Sequence, residues 1–343
     1  MYSALTRYGA VTAKVRAMYG RMLKPSEWES IGAMRNLSDI SSFIRSHPGW
    51  QEAGELIPQG CRDERLIERS LHTQLENEYE RIYRFATRED KRFLIFSVYR
   101  TEYRQILSAL RHVITRHEVA WNDAPTGFMA RKASVRQEEL EEAETFDDIL
   151  RAAENTIYAS VLKTVPTNEV SGKPDYAAAH VLLENCFYSA VWRYLQKDYK
   201  GSAKELLREI YGKEADFLNL THIMRLRRNF PGSLADIDKL LIPIRWKLTD
   251  EFIAQLAGAP TDADAMALLR SSRWAQMFGD DSLTSNVYSY ERGMEALCRR
   301  SIHAQTPSAA VPQAYLTLKG IECDKLIRAV EAAHYGILPG RVI

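Results

Sequence analysis

The sequence lacks long hydrophobic runs, and this absence argues against a membrane-spanning helix. Its apolar stretches are interrupted by charged residues well short of the roughly 20 consecutive apolar residues that a span requires. The N-terminal stretch over 1–20 also lacks the uninterrupted apolar core of a signal peptide. We therefore expect a soluble chain, which can nevertheless work on a membrane complex.

The chain also lacks an excess of charge of either sign. Its 46 basic and 45 acidic residues give a formal net charge of +1. A balanced charge provides no global field that would attract nucleic acid or an anionic membrane.

The cysteines contain no CxxC pair, which favours buried thiols in a reducing cytoplasm over a disulfide framework or a zinc site. They are Cys61, Cys186, Cys298 and Cys323.

Catalytic signatures are missing as well. The sequence contains no glycine-rich phosphate-binding loop and no HExxH or GxSxG motif. Two acidic pairs fall at predicted helix starts or loops, where carboxylates favour the helix dipole; they are Asp147 with Asp148, and Asp280 with Asp281. Six of the eight histidines are scattered over several predicted helices, and they are His112, His117, His180, His222, His303 and His334. We interpret them as packed or surface residues, and we predict no catalytic, cofactor-binding or metal-binding residue.

What the sequence does contain is helical periodicity. No run of β-branched residues alternates with period two over more than a few positions, so we predict an all-α protein. We expect long helices over 62–85, 176–195 and 203–229, the last with a bend at Gly212, and an N-cap at Ser38. At 343 residues the chain exceeds the size of most single cores, so two or three subdomains are expected.

Two patterns repeat along the chain. The first is an amphipathic helix that begins with an acidic residue, at Glu102, Asp216 and Glu322, about 110 residues apart. The second is a short helix whose aligned apolar residues are Ile40, Ile149 and Met266, followed by an aromatic residue at Trp50, Tyr158 and Trp274. We predict an internal three-fold repeat over 1–120, 121–232 and 233–343, with possible pairing of the first repeat to the C-terminal helices. The alternative is one irregular helical fold that reuses common helix-building patterns.

The second of the acidic helices ends in a cluster of basic residues. Arg225, Arg227 and Arg228 crowd its last turn. Such a cluster can bind phosphate, nucleic acid or a partner protein, or it can complement the helix dipole and pair with carboxylates inside the fold. Because net charge is near zero, we expect no nucleic-acid binding.

Five stretches together resemble a known family. They are RAMYGRML (16–23), LSDISSFI (37–44), FDDI (146–149), DFLNLTHIMR (216–225) and YLTLKGIECDKLIR (315–328). The chain is similar over essentially its full length to the C-type subunits of V-type and A-type ATPases, a family that includes the eukaryotic d-type subunit of 39 kDa. The family pattern of an acidic residue followed three positions later by Asn is kept at Asp216 and Asn219, but not at Glu102 or Glu322.

The resemblance implies a non-catalytic part of a rotary ATPase or ATP synthase. Family members resemble a funnel-like socket of three helical subdomains around a pseudo-three-fold axis. This socket sits on the cytoplasmic face of the cell membrane. The implied partners are central-stalk subunits of D and F type and a membrane rotor ring of c/K type, with no cofactor and no self-oligomer required. In that setting we expect Arg225, Arg227 and Arg228 to help hold the stalk.

Two other classes of function remain as alternatives. The chain could be an all-helical scaffold or regulatory interaction protein unrelated to rotary ATPases, with its aromatic stripes contacting a partner helix. It could also be an enzyme with an unrecognised all-α active site. Co-purification with membranes and release by mild treatment would distinguish the first hypothesis from these two. Neighbouring genes that encode rotor and catalytic ATPase subunits would do so as well.

Overall fold

The protein is described from a computed structural model. It covers residues 4–117, 121, 124–168, 172–229, 237, 240–278, 283–304 and 307–343. The acidic pair of Asp280 and Asp281 lies outside these residues. The described residues form α-helices and connecting loops and contain no β-strand. The all-α prediction is confirmed.

The helices α1 to α17 have the following bounds in chain order. They are α1 (Ala4–Tyr19), α2 (Pro25–Ala33), α3 (Leu37–Ser46), α4 (Gln51–Leu56), α5 (Glu64–Phe85), α6 (Arg88–Leu94), α7 (Phe96–Thr115), α8 (Gly127–Lys132), α9 (Gln137–Glu141), α10 (Phe146–Ala152), α11 (Ala159–Leu162), α12 (Tyr176–Asp198), α13 (Gly201–Asn229), α14 (Asp250–Ala257), α15 (Asp262–Ser271), α16 (Leu283–His303) and α17 (Ala310–His334). A short 3-10 helix follows at Pro339–Arg341.

The chain divides into two compact units, which are described separately. Unit 1 contains Met1–Leu94, Ala120–Lys132 and Leu297–Ile343. Unit 2 contains Ile95–Val119 and Ala133–Ala296. The three repeats over 1–120, 121–232 and 233–343 stay a prediction.

Unit 1 is built around the packing of α5 against α17. Its core joins apolar side chains from α2 to α5 with those of α17, so the first and last parts of the chain share one hydrophobic core. Ile40 and Trp50 are completely buried in this core, against Leu326 and Val330. Removing these side chains from water is the main favourable contribution to this packing.

Unit 2 contains α7 and α12 packed together, and α13 packed against α12, α14 and α15. One of its cores combines Leu220 and Ile223 of α13 with Met266 of α15 and the nearby Trp274. The remaining pair of aligned residues, Ile149 and Tyr158, is also completely buried.

Several short helices begin with the same kind of cap. Asn36, Thr145 and Thr261 each accept a hydrogen bond from the backbone N–H three residues later, which satisfies one of the free donors at a helix start. The predicted N-cap at Ser38 is wrong by two residues, because the amide oxygen of Asn36 reaches the N–H of Asp39 at 2.9 Å.

Each of the long helices α7, α13 and α17 carries a buried carboxylate that binds a backbone segment. Asp216 of α13 accepts hydrogen bonds from the backbone N–H groups of Trp246 at 3.2 Å, Lys247 at 2.8 Å and Leu248 at 3.2 Å. Asn219, one turn later, accepts from the N–H of Ile242 at 2.7 Å. The two side chains therefore fix the loop that leads into α14.

In α7 the equivalent position is Glu102. Its carboxylate accepts hydrogen bonds from the backbone N–H groups of Ser134 and Val135, just before α9. Burial raises the pKa of Glu102, and these two hydrogen bonds oppose that rise. The Glu102 contact resembles that of Asp216 but has fewer donors.

In α17 the position is Glu322, which binds both backbone and side chains. It accepts hydrogen bonds from the backbone N–H of Leu23 at 2.9 Å, the indole N–H of Trp50 at 3.0 Å and the ammonium of Lys319 at 2.8 Å. Leu23 lies just before α2, so the carboxylate again holds a segment that leads into a short helix.

Gly212 lies one turn before Asp216 on α13. A Cβ atom at this position would lie 2.5 Å from the Cβ of Trp246, which is closer than real contacts allow. The helix α13 runs without interruption through Gly212. The absence of a side chain lets the segment at Trp246 come close enough to reach Asp216.

Candidate functional site

The arginine cluster at the end of α13 places its members in different environments. Arg225 is exposed, whereas Arg227 is 9% exposed. The side chain of Arg228 lies outside the described residues. Of the described pair, Arg225 is therefore the one open to a partner.

Arg227 binds the end of a neighbouring helix. Its guanidinium donates hydrogen bonds to the carbonyl oxygens of Leu256 at 3.0 Å, Ala257 at 2.6 Å and Ala259 at 2.7 Å. These groups lie at the C-terminus of α14, where carbonyls lack intrahelical partners and a positive charge is favourable. Arg227 therefore caps α14, in line with the second interpretation of the cluster as a partner inside the fold.

Next to Arg225, helices α12 and α13 bring together three titratable side chains. His180 and Glu184 lie four residues apart on α12, and His222 lies on α13. One potential ligand atom from each side chain lies within 4.8 Å of the others. The Nε2 atom of His222 is 3.7 Å from Oε2 of Glu184, and the two imidazole centroids are 6.2 Å apart.

Burial dominates the protonation of this cluster. Desolvation lowers the pKa of His222 to about 4, with His180 and Arg225 acting in the same direction. Desolvation also lowers the pKa of His180, again assisted by Arg225. The pKa of Glu184 is raised to about 7, mainly by desolvation. Near neutral pH both imidazoles are therefore neutral and carry a free nitrogen lone pair.

This cluster was not predicted from the sequence. We interpreted His180 and His222 as packed or surface residues and predicted no metal-binding residue. The spacing of four residues between His180 and Glu184 is a helical-face signal that was present in the sequence. His222 belongs to another helix, and its approach depends on how α13 packs against α12.

A half-buried ion pair lies elsewhere in unit 2. Arg100 and Glu214 form a bidentate contact, with Nη2 and Oε2 2.8 Å apart. Burial would raise the pKa of Glu214, but the adjacent Arg100 outweighs it and lowers the pKa. The guanidinium of Arg100 also lies 4.9 Å from the ring centroid of Phe187 and 5.8 Å from that of Tyr211. These contacts make Arg100 part of the packing between α7, α12 and α13.

Unit 1 contains a polar cavity of about 250 Å³ beside the Lys319 ammonium. Its lining includes Arg21 and Arg81 together with Glu52 and Glu78. Both positive and negative groups line the space, so its electrostatics do not select a ligand of one charge.

Cys61, Cys298 and Cys323 are buried and Cys186 is half-buried, and all four are thiols rather than disulfides. Among the helices that the structure describes, no helix combines the length and hydropathy that crossing a bilayer requires.

Comparison with known proteins gives a match over nearly the whole chain. The family described as ATP synthase (C/AC39) subunit matches residues 11–342. The chain is 22% identical over 346 residues to the C-type subunit of the A-type ATP synthase of Pyrococcus abyssi, covering 98% of this chain and 89% of that relative. It is 21% identical over 302 residues to the corresponding A-type ATP synthase protein of Methanobrevibacter smithii, covering 86% and 74%.

A further relative is matched over a shorter region. The corresponding A-type ATP synthase protein of Thermococcus kodakarensis is 23% identical over 239 residues, covering 69% of this chain and 62% of the relative. The resemblance carried by the five sequence stretches is confirmed by these matches. The family match includes helices of both units. This all-α chain therefore belongs to the ATP synthase (C/AC39) subunit family.

Proposed function

We propose that this chain is the non-catalytic adaptor of the central stalk in a rotary V/A-type ATPase or ATP synthase. In this role it couples the soluble stalk to the membrane rotor ring during ion transport. The observation that carries the proposal is the extent of the family match, which covers residues 11–342. Nucleotide chemistry and ion binding would then belong to other subunits.

The three buried carboxylates support a socket made of repeated parts. Glu102, Asp216 and Glu322 each hold a segment that leads into a short helix. Three copies of one local arrangement are what a pseudo-three-fold, funnel-like socket would use to bridge a symmetric ring and an asymmetric stalk. An adaptor that carries torque must resist shear, and buried hydrogen bonds at these joints oppose sliding of one helix along another.

The proposed partners are stalk subunits of D and F type and a rotor ring of c/K type. The chain would bind them at the cytoplasmic face of the cell membrane as a peripheral subunit. The A-type ATP synthase context of its relatives supports partners within one complex.

The proposed stalk contact is the arginine cluster of Arg225, Arg227 and Arg228, in which Arg225 supplies the exposed charge and Arg227 also caps α14. Replacing all three with Ser should weaken capture of the stalk subunits, because charged groups at an interface set register and speed association. The measurement is a pull-down of D-type and F-type subunits with the tagged full-length chain, together with circular dichroism to confirm that helix content is kept.

Single variants separate contact from folding. Arg225→Ser removes the exposed charge and should weaken capture without changing the melting temperature. Arg227→Ser removes the cap of α14 and should lower the melting temperature. Unchanged capture by the triple variant would contradict the stalk contact. Failure of the wild-type chain to capture stalk or ring subunits would contradict the adaptor role and favour an unrelated helical scaffold.

A further inference from the structure

The cluster of His180, Glu184 and His222 in unit 2 contains a side chain without a satisfactory partner. Glu184 is 4% exposed, and its Oε2 atom makes no hydrogen bond to any described residue. The nearest ring nitrogen, Nε2 of His222, is 3.7 Å away, which is beyond hydrogen-bond distance. A buried carboxylate oxygen in this condition carries a desolvation cost that a bound cation would offset.

We propose that His180, Glu184 and His222 form a binding site for a divalent transition-metal ion of the zinc type. The proposal is independent of the role in a rotary ATPase. It assigns to α12 and α13 a metal-dependent link within unit 2.

The geometry is close to what a metal requires. In a tetrahedral site with bonds of about 2.1 Å, two ligand atoms lie about 3.4 Å apart. The separation of 3.7 Å between His222 and Glu184 is near this value, and all three atoms lie within 4.8 Å of one another. Small side-chain rotations therefore suffice to bring His180 into the same coordination sphere.

The donor set selects a class of metal. Two imidazole nitrogens and one carboxylate oxygen suit Zn²⁺ and its first-row neighbours, whereas Mg²⁺ and Ca²⁺ prefer oxygen ligands. Three protein ligands leave a fourth position for water. Because His180 and Glu184 share one face of α12, the helix presents two of the three ligands together.

The surrounding charges act in both directions. Arg225 and Arg111 face His180, and their charge favours its neutral, metal-binding form. The same charges oppose an incoming cation. Near Glu184, the carboxylate of Glu214 adds negative charge, while Arg100, Arg104 and Arg225 add positive charge. We therefore expect binding that is detectable at micromolar zinc rather than the much tighter binding of a four-ligand structural site.

The test uses the full-length chain after chelator treatment and buffer exchange. Titration with Zn²⁺ should show one ion per chain by calorimetry and raise the melting temperature, because a ligand that binds the folded state stabilises it. Mg²⁺ at the same concentration should do neither. Co²⁺ should give the visible absorption of a low-coordinate nitrogen and oxygen site.

Variants locate the ion. Glu184→Gln and His222→Gln should each weaken Zn²⁺ binding by at least about 10-fold, since loss of even an outer-sphere partner typically costs that much. His117→Gln is the matched control, because His117 is an exposed histidine outside the cluster. It should bind Zn²⁺ as the wild type does.

A measurement on the wild-type chain covers the case in which a variant does not fold. Covalent modification of histidines, read by mass spectrometry, should be slowed by Zn²⁺ at His180 and His222 but not at His117. Equal modification of His180 with and without Zn²⁺ would overturn the proposal. So would the absence of Zn²⁺ binding, or binding that Glu184→Gln and His222→Gln leave unchanged.

Discussion

Glu322 in unit 1 and Asp216 in unit 2 are both buried carboxylates, but different groups compensate their negative charges. Each carboxylate is buried on a long helix and holds the segment before a short helix. Glu322 has the ammonium of Lys319 beside it, and Lys319 also donates to the carbonyl oxygen of Gly49 at 3.0 Å. Asp216 receives three backbone N–H groups instead.

The difference shows two ways to keep a carboxylate inside a protein. In unit 1 a full positive charge compensates the negative one, and the Nζ atom of Lys319 lies 3.5 Å from the ring centroid of Trp50. In unit 2 peptide dipoles do so, and burial still raises the pKa of Asp216 against them. A charge pair makes each buried partner dependent on the other.

Removal of the charge partner should give the largest effect. Lys319→Met would leave Glu322 and the nearby Glu78 buried without their cation, since Nζ of Lys319 is 2.8 Å from the first and 3.8 Å from the second. Breaking a buried pair in this way typically costs about 3–5 kcal/mol. Chemical denaturation of the full-length chain would measure the change in the free energy of unfolding.

The matched control is Lys197→Met on α12, where the side chain is exposed, so the change should alter the free energy of unfolding by less than about 0.5 kcal/mol. Adding Glu322→Gln to Lys319→Met should restore part of the loss. A Lys319→Met variant as stable as the wild type would show that charge compensation does not distinguish unit 1 from unit 2.

Removal of the backbone acceptor should give an intermediate effect. Asp216→Ala would free three N–H groups at Trp246 to Leu248. Trp246 is half-buried and Lys247 is exposed, so water can replace some of the bonds. Loss of hydrogen bonds to a charged group suggests a cost of about 2–3 kcal/mol.

The control for Asp216→Ala is Glu205→Ala, an exposed acidic residue on the same helix. Hydrogen exchange should show faster exchange at 246–248 in Asp216→Ala and unchanged exchange in Glu205→Ala. If Asp216→Ala lowered the free energy of unfolding more than Lys319→Met does, the backbone hydrogen bonds of Asp216 would contribute more than the charge pair of Glu322.

The close approach at Gly212 should give the smallest effect. Gly212→Ala would place a methyl group 2.5 Å from Trp246, and overpacking of this kind costs about 1–3 kcal/mol. In Gly293→Ala on α16 the added methyl group has open space around it, so the higher helix propensity of Ala should stabilise the chain by up to about 1 kcal/mol. Melting temperatures that rise in both variants would contradict the close contact.

The spacing of apolar residues was sufficient to predict the long helices, because helical periodicity depends only on residues that are close in sequence. The N-cap of α3 could not be predicted with the same accuracy. Asn36 and Ser38 are both suitable polar residues, and the sequence does not show which side chain bonds the helix N-terminus. Gly212 was expected to bend α13, yet the structure gives it a packing role that depends on Trp246. Such a role cannot be read from the helix alone, because the second residue is supplied by tertiary structure.

The candidate sites show the same limit. The arginine cluster could be predicted as a group because its members are neighbours in sequence. Its division into an exposed Arg225 and a capping Arg227 could not, because the carbonyls that Arg227 binds come from α14. The metal-ligand cluster was partly visible in the spacing of His180 and Glu184, whereas His222 enters only through packing of α13 on α12.

The shared core of the first and last parts of the chain has a consequence for synthesis on the ribosome. The residues up to Leu94 reach the exit long before α17, which supplies the carboxylate of Glu322 and the apolar face that covers Ile40 and Trp50. The last residue of unit 2 is Ala296, so unit 2 can fold before α17 is synthesised. At that stage the N-terminal helices still lack the part of their core that α17 supplies. Unit 1 therefore forms last, and a chain that stops before α17 would expose that unfinished core to chaperones and proteases.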